Sequence, residues 1–176
     1  MKHTAWFYIF CFVASTTIAA TEPPWPREIR QIAMSDYKPV LVANMPEGIS
    51  LYNHPNETLA QREKRILHIA SFKIKSSSDD VLIVKADEGG SAGAYQDIYR
   101  KQKGGYVCIG LLGAGFGIKL LTSYGGYPQI EYWSRGGGGN FTRELFRFEH
   151  GKYKSIRGED FRGYEGTYLR TQKTNE

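Results

Sequence analysis

Residues 97–109 read DIYRKQKGGYVCI, and residues 144–156, 47 positions later, read ELFRFEHGKYKSI. Four residues recur identically, as the pairs Arg100/Arg147, Gly104/Gly151, Tyr106/Tyr153 and Ile109/Ile156. At several of the other aligned positions the exchange is conservative, such as aspartate for glutamate and tyrosine for phenylalanine. A near-copy of this length is typical of one reused supersecondary unit. Because the same spacing continues upstream, we predict two repeats, over residues 69–109 and 116–156.

Each repeat contains four segments that are rich in β-branched or aromatic residues and bounded by Gly, Ser, Asp or Pro, which is typical of strands joined by turns. The predicted strands cover residues 69–75, 81–86, 95–101 and 105–109, and then 118–122, 129–133, 143–148 and 152–156. An open sheet of this size would expose its edges. We therefore predict a mainly β fold, an antiparallel sandwich or barrel of about eight strands built from two duplicated four-stranded units.

The chain begins with the pattern of a secretory signal peptide. Lys2 and His3 precede an uncharged apolar run at residues 5–14, and small residues follow as far as Ala20. This order predicts a cleavable signal over residues 1–20, and hence export to the periplasm or the extracellular space. The apolar run is shorter than the roughly 20 residues that a membrane-spanning helix needs, so we expect no membrane span.

Two further segments flank the repeats. Residues 21–57 hold six prolines and two short apolar runs, at residues 39–43 and 49–52, which predict an extended lead-in and a hairpin. Thr58 and Gln61 have the spacing of a capping box, so we predict one short helix through about Arg65, with Leu59, Ile66 and Leu67 on one face. Residues 157–176 mix charges of both signs and are predicted to form a polar tail.

Composition excludes several functional classes. The net charge of +5 arises from 23 basic and 18 acidic residues without a dense Lys/Arg stripe, so nucleic acid is not an expected partner. The histidines lie apart, and no metal-ligand spacing emerges. The glycines of residues 110–117 do not match a nucleotide-binding loop. No two carboxylates stand at a separation that would support glycoside cleavage. We therefore expect no metal, no cofactor and no enzyme activity.

Glycine-rich hairpin tips occur at the same place in both repeats, at residues 87–95 (DEGGSAGAY) and 135–140 (RGGGGN). Glycine can simply relieve strain in a turn that needs a positive φ. Long tips on a rigid scaffold also serve as binding loops. Under the second interpretation, the candidate partner-binding residues are Asp87, Glu88, Ser91, Gly93, Tyr95, Arg135 and Asn140. Under the first, Tyr95 begins the next strand and packs inward.

Two stretches together resemble a known family. They are IEYWSRGGGGNFTRELFRFEHGK at residues 130–152 and, more loosely, LIVKADEGGSAGAYQDIYRKQKGG at residues 82–105. Their succession of strand, glycine/serine tip and aromatic-rich strand resembles the periplasmic inhibitors of invertebrate-type lysozyme. Those small exported β proteins insert a loop with a Ser-Gly-x-x-Tyr-like motif into the cleft of the enzyme. Ser91, Gly93 and Tyr95 are the closest match here, with Ala92 in the place of the expected glycine.

We therefore expect a protein-binding module that inhibits a cell-wall hydrolase such as a lysozyme, or an immunity protein that neutralises a toxin directed at the periplasm. The resemblance implies the enzyme target, whereas a hydroxyl and a tyrosine on a flexible tip could hydrogen-bond a catalytic carboxylate. Two alternatives stay open. One is a structural or envelope-associated β protein without an enzyme target, and the other, the least favoured, is a hydrolase.

Overall fold

The computed structural model describes residues 24–49, 56–74, 80–90, 93–136, 139–164 and 167–173. The side chains of residues 87–90 and of residues from 163 onward are outside this description. The predicted signal peptide and most of the second apolar run of the predicted hairpin also lie outside the described residues.

The described chain is mainly β-strand, and every strand pair is antiparallel, which confirms the predicted fold class. Its strands are β1 (Glu28–Ile32), β2 (Lys38–Leu41), β3 (Ile66–Lys73), β4 (Asp80–Gly90), β5 (Gly93–Gln102), β6 (Gly105–Gly115), β7 (Gly117–Tyr124), β8 (Tyr127–Arg135), β9 (Phe141–Glu149), β10 (Lys152–Tyr164) and β11 (Thr167–Lys173). The eight predicted strands correspond to β3–β10. Strands β1, β2 and β11 are additions, and β10 and β11 occupy most of the segment predicted to be a tail.

The strands form two sheets that pack face to face as a sandwich. The six-stranded sheet has the order β1-β7-β8-β9-β10-β11, and the five-stranded sheet has the order β2-β3-β4-β5-β6. Strands β3–β6 and β7–β10 are consecutive meanders, so each predicted repeat lies in a sheet of its own. Strands β4, β5 and β6 begin 47 or 48 residues before β8, β9 and β10, which preserves the spacing of the repeat.

The main hydrophobic core lies between the two sheets. It combines side chains of β4 and β5, such as Ile83 and Ile98, with side chains of β7 and β8, such as Ile118 and Ile130. The chain passes between the sheets twice, through residues 33–37 from β1 to β2 and through the one residue Phe116 from β6 to β7.

Gly115 permits a close approach of the two sheets at this crossing. A Cβ atom at Gly115 would lie 2.4 Å from the Tyr132 ring, and the Tyr132 hydroxyl donates a hydrogen bond to Gly113 O at 2.7 Å. A side chain at position 115 would therefore force the sheets apart.

The matched residues of the two repeats do not occupy matched faces. Tyr153 is buried in the core between the sheets, whereas its counterpart Tyr106 packs on the opposite face of the five-stranded sheet. Ile83 pairs with Ile98, but Ile130 pairs with Phe146, so the register of the second hairpin differs by one residue from that of the first. Because side chains alternate along a strand, this single step turns β9 and β10 over relative to β5 and β6.

Both repeats nevertheless place a bulge at the same position. Ile98 and Tyr99 of β5 pair with Gly110 and Cys108, so the intervening Ile109 is an extra residue. The pairing of β10 with β9 passes over Ile156 in the same way. The identical isoleucines of the sequence repeat are therefore the two bulge residues, and each bulge increases the local twist of its strand.

The predicted helix is present as α1 (Leu59–Glu63), with the predicted capping box. The Thr58 hydroxyl accepts a hydrogen bond from Gln61 N, and the Gln61 side chain accepts one from Thr58 N. Its predicted apolar face is wrong, because Ile66 and Leu67 belong to β3 and the helix buries none of its residues. Two 3₁₀ turns, Met34–Asp36 and Val42–Asn44, lie in the segment before the helix.

The outer face of each sheet is the face turned away from the other sheet. On the five-stranded sheet this face carries a second apolar cluster, formed by Leu67, Leu82, Val84 and Tyr99. Val42, Met45 and Ile49 of the lead-in pack over it. A hydrogen bond from Tyr106 N to Glu47 O, at 2.8 Å, joins the lead-in to β6. The lead-in therefore closes the outer face of the five-stranded sheet. No helix in the described ranges is long and apolar enough to cross a membrane.

Candidate functional site

Both glycine-rich tips lie at the same end of the sandwich. Ala94, at the start of β5, pairs with Gly115, and Trp133, near the end of β8, pairs with Gly117. The β4–β5 and β8–β9 hairpin ends therefore flank Phe116, the residue at which the chain crosses between the sheets. Phe116 is exposed there. We call this the tip end of the molecule.

Tyr95 projects from the tip end into solvent. Its side chain is 63% exposed, so it does not pack into the core. Gly93, two residues earlier, has a φ of +97°, and a Cβ atom there would lie 2.4 Å from Gly115 O. Gly93 is thus required by the backbone, since a residue with a side chain would be strained and would clash. Its role as a partner-binding residue stays a prediction.

Arg135 projects from the second tip against two aromatic rings. The centre of its guanidinium lies 5.3 Å from the ring centre of Phe141 and 5.9 Å from that of Phe116, within the range of cation–π attraction. No carboxylate oxygen of the described residues lies within 4 Å of it. Asn140 closes the same hairpin through its backbone, because its carbonyl accepts a hydrogen bond from Gly136 N at 2.8 Å.

The predicted residues share one end of the molecule but not one surface. Tyr95 faces outward from the five-stranded sheet and Arg135 outward from the six-stranded sheet. Asp87 and Glu88 lie in β4, but their side chains are outside the described part of the chain, as is Ser91 altogether. A partner that contacts both Tyr95 and Arg135 must therefore span the end of the sandwich.

The outer face of the six-stranded sheet carries a charged network that the sequence pattern does not predict. Arg143, on β9, donates from Nε and Nη2 to Glu131 Oε2 at 3.0 and 2.7 Å. Its Nη1 lies 3.6 Å from Glu159 Oε2 on β10. Glu131 is almost fully buried and Glu159 completely so. Charges at such depth are stable only when paired and hydrogen-bonded, and this arginine pairs with a carboxylate on each neighbouring strand.

Trp25, which precedes β1, covers the network. Its indole ring lies 3.6 Å from the guanidinium carbon of Arg143, and its Nε1 donates to Glu159 Oε1 at 2.8 Å. Arg157 donates to the same oxygen at 3.0 Å and also lies against the indole. The outer face of this sheet is thus held together by guanidinium, carboxylate and indole groups rather than by an apolar cluster.

A groove of about 680 Å³ opens beside this network, towards the tip end. Its walls are aromatic, and two of them, Trp133 and Phe161, stack with ring centres 5.4 Å apart. Phe116 and Phe141 line the side nearest Arg135, and Lys119 lies on the β7 side. The volume is within the range of about 300–1,000 Å³ that is usual for small-molecule sites.

One sequence signal could have revealed the network. Arg157, Glu159 and Phe161 occupy alternate positions, which places all three on one face of a strand. These residues lie in a segment rich in polar side chains, and that composition favours the prediction of a solvated tail over that of a strand. The buried carboxylates each contact a guanidinium, and the described residues contain no group of three His, Cys, Asp or Glu side chains that could hold a metal ion.

No protein-family model, curated protein or solved structure matches this chain. The resemblance to the lysozyme inhibitors therefore rests on the sequence pattern of the two hairpins alone.

Proposed function

We propose that this chain is an exported protein-binding module that neutralises a protein partner through its tip end. The favoured partner is a cell-wall hydrolase such as a lysozyme, and an immunity protein against a periplasm-directed toxin is the neighbouring version of the same function. The observation that supports the proposal best is Arg135, a cation oriented by two aromatic rings and in contact with no carboxylate of the described chain.

The residue types at the tip end suit a protein interface. Arginine and tyrosine are enriched among the residues that dominate binding energy, and tyrosine supplies contact area at a small cost in side-chain entropy. Glycoside hydrolases use a pair of carboxylates in an open cleft. A tip that brings Arg135 into such a cleft would place a positive charge beside a catalytic acid, while Tyr95 would hydrogen-bond through its hydroxyl.

A pull-down followed by an activity assay tests the proposal. The protein without its predicted signal peptide is immobilised and exposed to periplasmic extracts and to purified host lytic enzymes. We expect it to retain at least one lytic enzyme or toxin and to inhibit that enzyme at micromolar concentration or below. If no such enzyme is retained or inhibited, the proposal is wrong. A toxin gene adjacent to this one would favour the immunity version.

Variants locate the interface. Tyr95→Ala and Arg135→Ala should each weaken binding by about tenfold or more, because both would remove a contact of hot-spot type. Tyr124→Ala is the matched control, since Tyr124 is also an exposed tyrosine, at 53%, but lies at the β7–β8 turn at the opposite end of the six-stranded sheet. Equal loss of binding in Tyr124→Ala and Tyr95→Ala would contradict an interface at the tip end.

A further inference from the structure

The aromatic groove exists because β1 stops short of the tip end. The pairing of β1 with β7 ends where Ile32 faces Ile118, and the chain then turns away through the 3₁₀ turn at Met34–Asp36. The next residue of β7 towards the tip end is Gly117, which has no side chain and pairs with Trp133 on its other side. The floor of the groove is therefore open at Gly117, and the flank of the Trp133 side chain faces it.

Most charged groups around the groove are paired within the described chain, but Arg135 is not. The carboxylates of Glu131 and Glu159 are held by Arg143 and Arg157. Lys119 is also engaged, with its ammonium 3.1 Å from Glu28 Oε2. Arg135 lies against Phe116 and Phe141, two of the rings that line the groove, and no described carboxylate faces it. The mouth of an apolar groove thus carries a positive charge that pairs with no carboxylate of the described residues, and this charge complements an acidic group on a ligand.

We propose that this groove binds a small amphipathic anion. Its flat apolar or aromatic body lies along Trp133 and Phe161, and its acidic group reaches Arg135. The aromatic walls supply the burial of apolar area, and the guanidinium orients the ligand and selects for charge. This site goes beyond the proposed protein-binding function, and it stands or falls independently of whether a lytic enzyme is inhibited.

Two probes that differ by one charged group test the site. Anilinonaphthalene sulfonate has an aromatic body and a sulfonate, and phenylnaphthylamine has the same rings without the sulfonate. We expect both to bind the folded protein with a rise in probe fluorescence, and the sulfonate to bind more tightly. Energy transfer from tryptophan should accompany binding, because Trp133 lines the groove. If neither probe binds at about 100 micromolar, the proposal is overturned.

Gly117→Val fills the groove. A Cβ atom at Gly117 would lie 3.6 Å from Trp133 Cβ, which is an ordinary contact, so the fold should accept the side chain. We expect about tenfold weaker binding of both probes, which corresponds to about 1.4 kcal/mol. Gly104→Val is the control, because a Cβ atom there meets nothing within 4 Å and the residue lies in the β5–β6 turn, away from the tip end. Unchanged binding in Gly117→Val would overturn the proposal.

Arg135→Gln tests the contact with the acidic group separately from the contact with the aromatic body of the ligand. It should weaken binding of the sulfonate about fivefold or more and leave binding of phenylnaphthylamine unchanged, since only the sulfonate contacts the guanidinium. Equal effects on both probes would overturn the assignment of Arg135. If Gly117→Val does not fold, amide chemical shifts of the unaltered protein decide instead. Shifts on probe addition should centre on Gly117, Trp133 and Gln31, and shifts confined to another surface would overturn the site.

Discussion

The two outer faces of the sandwich are built on the same kind of meander and yet are closed by different chemistry. On the five-stranded sheet, Val42, Met45 and Ile49 cover an apolar cluster. On the six-stranded sheet, the corresponding layer is a network of arginine, glutamate and indole groups. The first arrangement excludes water by apolar contact, and the second satisfies buried charges by pairing them.

The two outer faces therefore differ in what they contribute: one mainly stabilises the fold, and the other presents a groove. Apolar closure stabilises roughly in proportion to the area removed from water. A paired charge network contributes less net stability, because desolvation offsets much of the Coulomb attraction. It does, however, border a groove at whose mouth Arg135 lies against two rings and within 4 Å of no carboxylate in the described part of the chain. We therefore expect substitutions on the outer face of the five-stranded sheet to change mainly the free energy of unfolding. Substitutions around the groove of the six-stranded sheet should change mainly binding.

The largest effect should come from the apolar face. Leu67 is 1% exposed beneath the lead-in, so Leu67→Ala should reduce the free energy of unfolding by about 3 kcal/mol, as measured by urea denaturation. Leu111→Ala is the matched control on β6, because Leu111 is 71% exposed, and it should change stability by less than about 0.5 kcal/mol. Similar effects of both changes would mean that the lead-in does not close this face.

Breaking the charged network should have the next largest effect. Glu159→Gln removes the carboxylate that Arg143, Arg157 and Trp25 contact, and it leaves guanidinium charge poorly compensated at depth. We expect a loss of about 2 kcal/mol. Glu149→Gln should cost less than about 0.5 kcal/mol, because its pair with Arg147 is partly exposed. A negligible loss for Glu159→Gln in urea denaturation would show that the network does not contribute to folding.

The pH dependence of two aspartates should have opposite signs. Burial raises the pKa of Asp97 on the five-stranded sheet, so the folded state disfavours its charge and loses stability as the pH rises through that raised value. Asp97→Asn should therefore stabilise the protein near pH 7 and not at low pH. The hydrogen bond from Ala33 N, followed by Arg30, lowers the pKa of Asp36. Its contribution is lost as the pH falls, so Asp36→Asn should destabilise near pH 7. Unfolding curves across pH check both signs.

The smallest effect on stability is expected at the tip end. Tyr95→Ala and Arg135→Ala should each shift the free energy of unfolding by less than about 0.5 kcal/mol, because neither side chain is buried or salt-bridged within the described chain. A thermal or urea unfolding experiment is sufficient. A loss as large as that of Leu67→Ala would place these residues in the framework rather than in a binding surface.

Local pattern predicts the strands of this fold well, and tertiary pairing decides the rest. Strands β3–β10 and the capping box at Thr58 follow from propensity and turn chemistry. Strand β2 contains Pro39, as edge strands can, and finds its partner in β3 only through the fold. The exchange of faces between Tyr106 and Tyr153 depends on a register step of one residue, which identity between the repeats conceals.

The candidate site divides in the same way. The tips at Tyr95 and Arg135 are visible in the sequence because glycine runs mark the turns. Alternating residues mark the β10 part of the network, but the sequence does not predict the whole network, because Glu131, Arg143 and Glu159 belong to three strands that meet only when their registers are fixed. Phe116 and Gly117 also read as part of a glycine-rich linker. Their importance arises from the point at which β1 ends, and the sequence pattern does not mark that point.

The central claim, that the tip end is a binding surface carried on a separately stabilised scaffold, is tested most directly by one titration. The unaltered protein and a Tyr95→Ala/Arg135→Ala double variant are titrated against the lytic enzyme or toxin recovered in the pull-down, with urea unfolding midpoints measured in parallel. We predict a loss of affinity of about a hundredfold with an unchanged midpoint. Equal affinity of the two proteins at equal midpoints would contradict the claim.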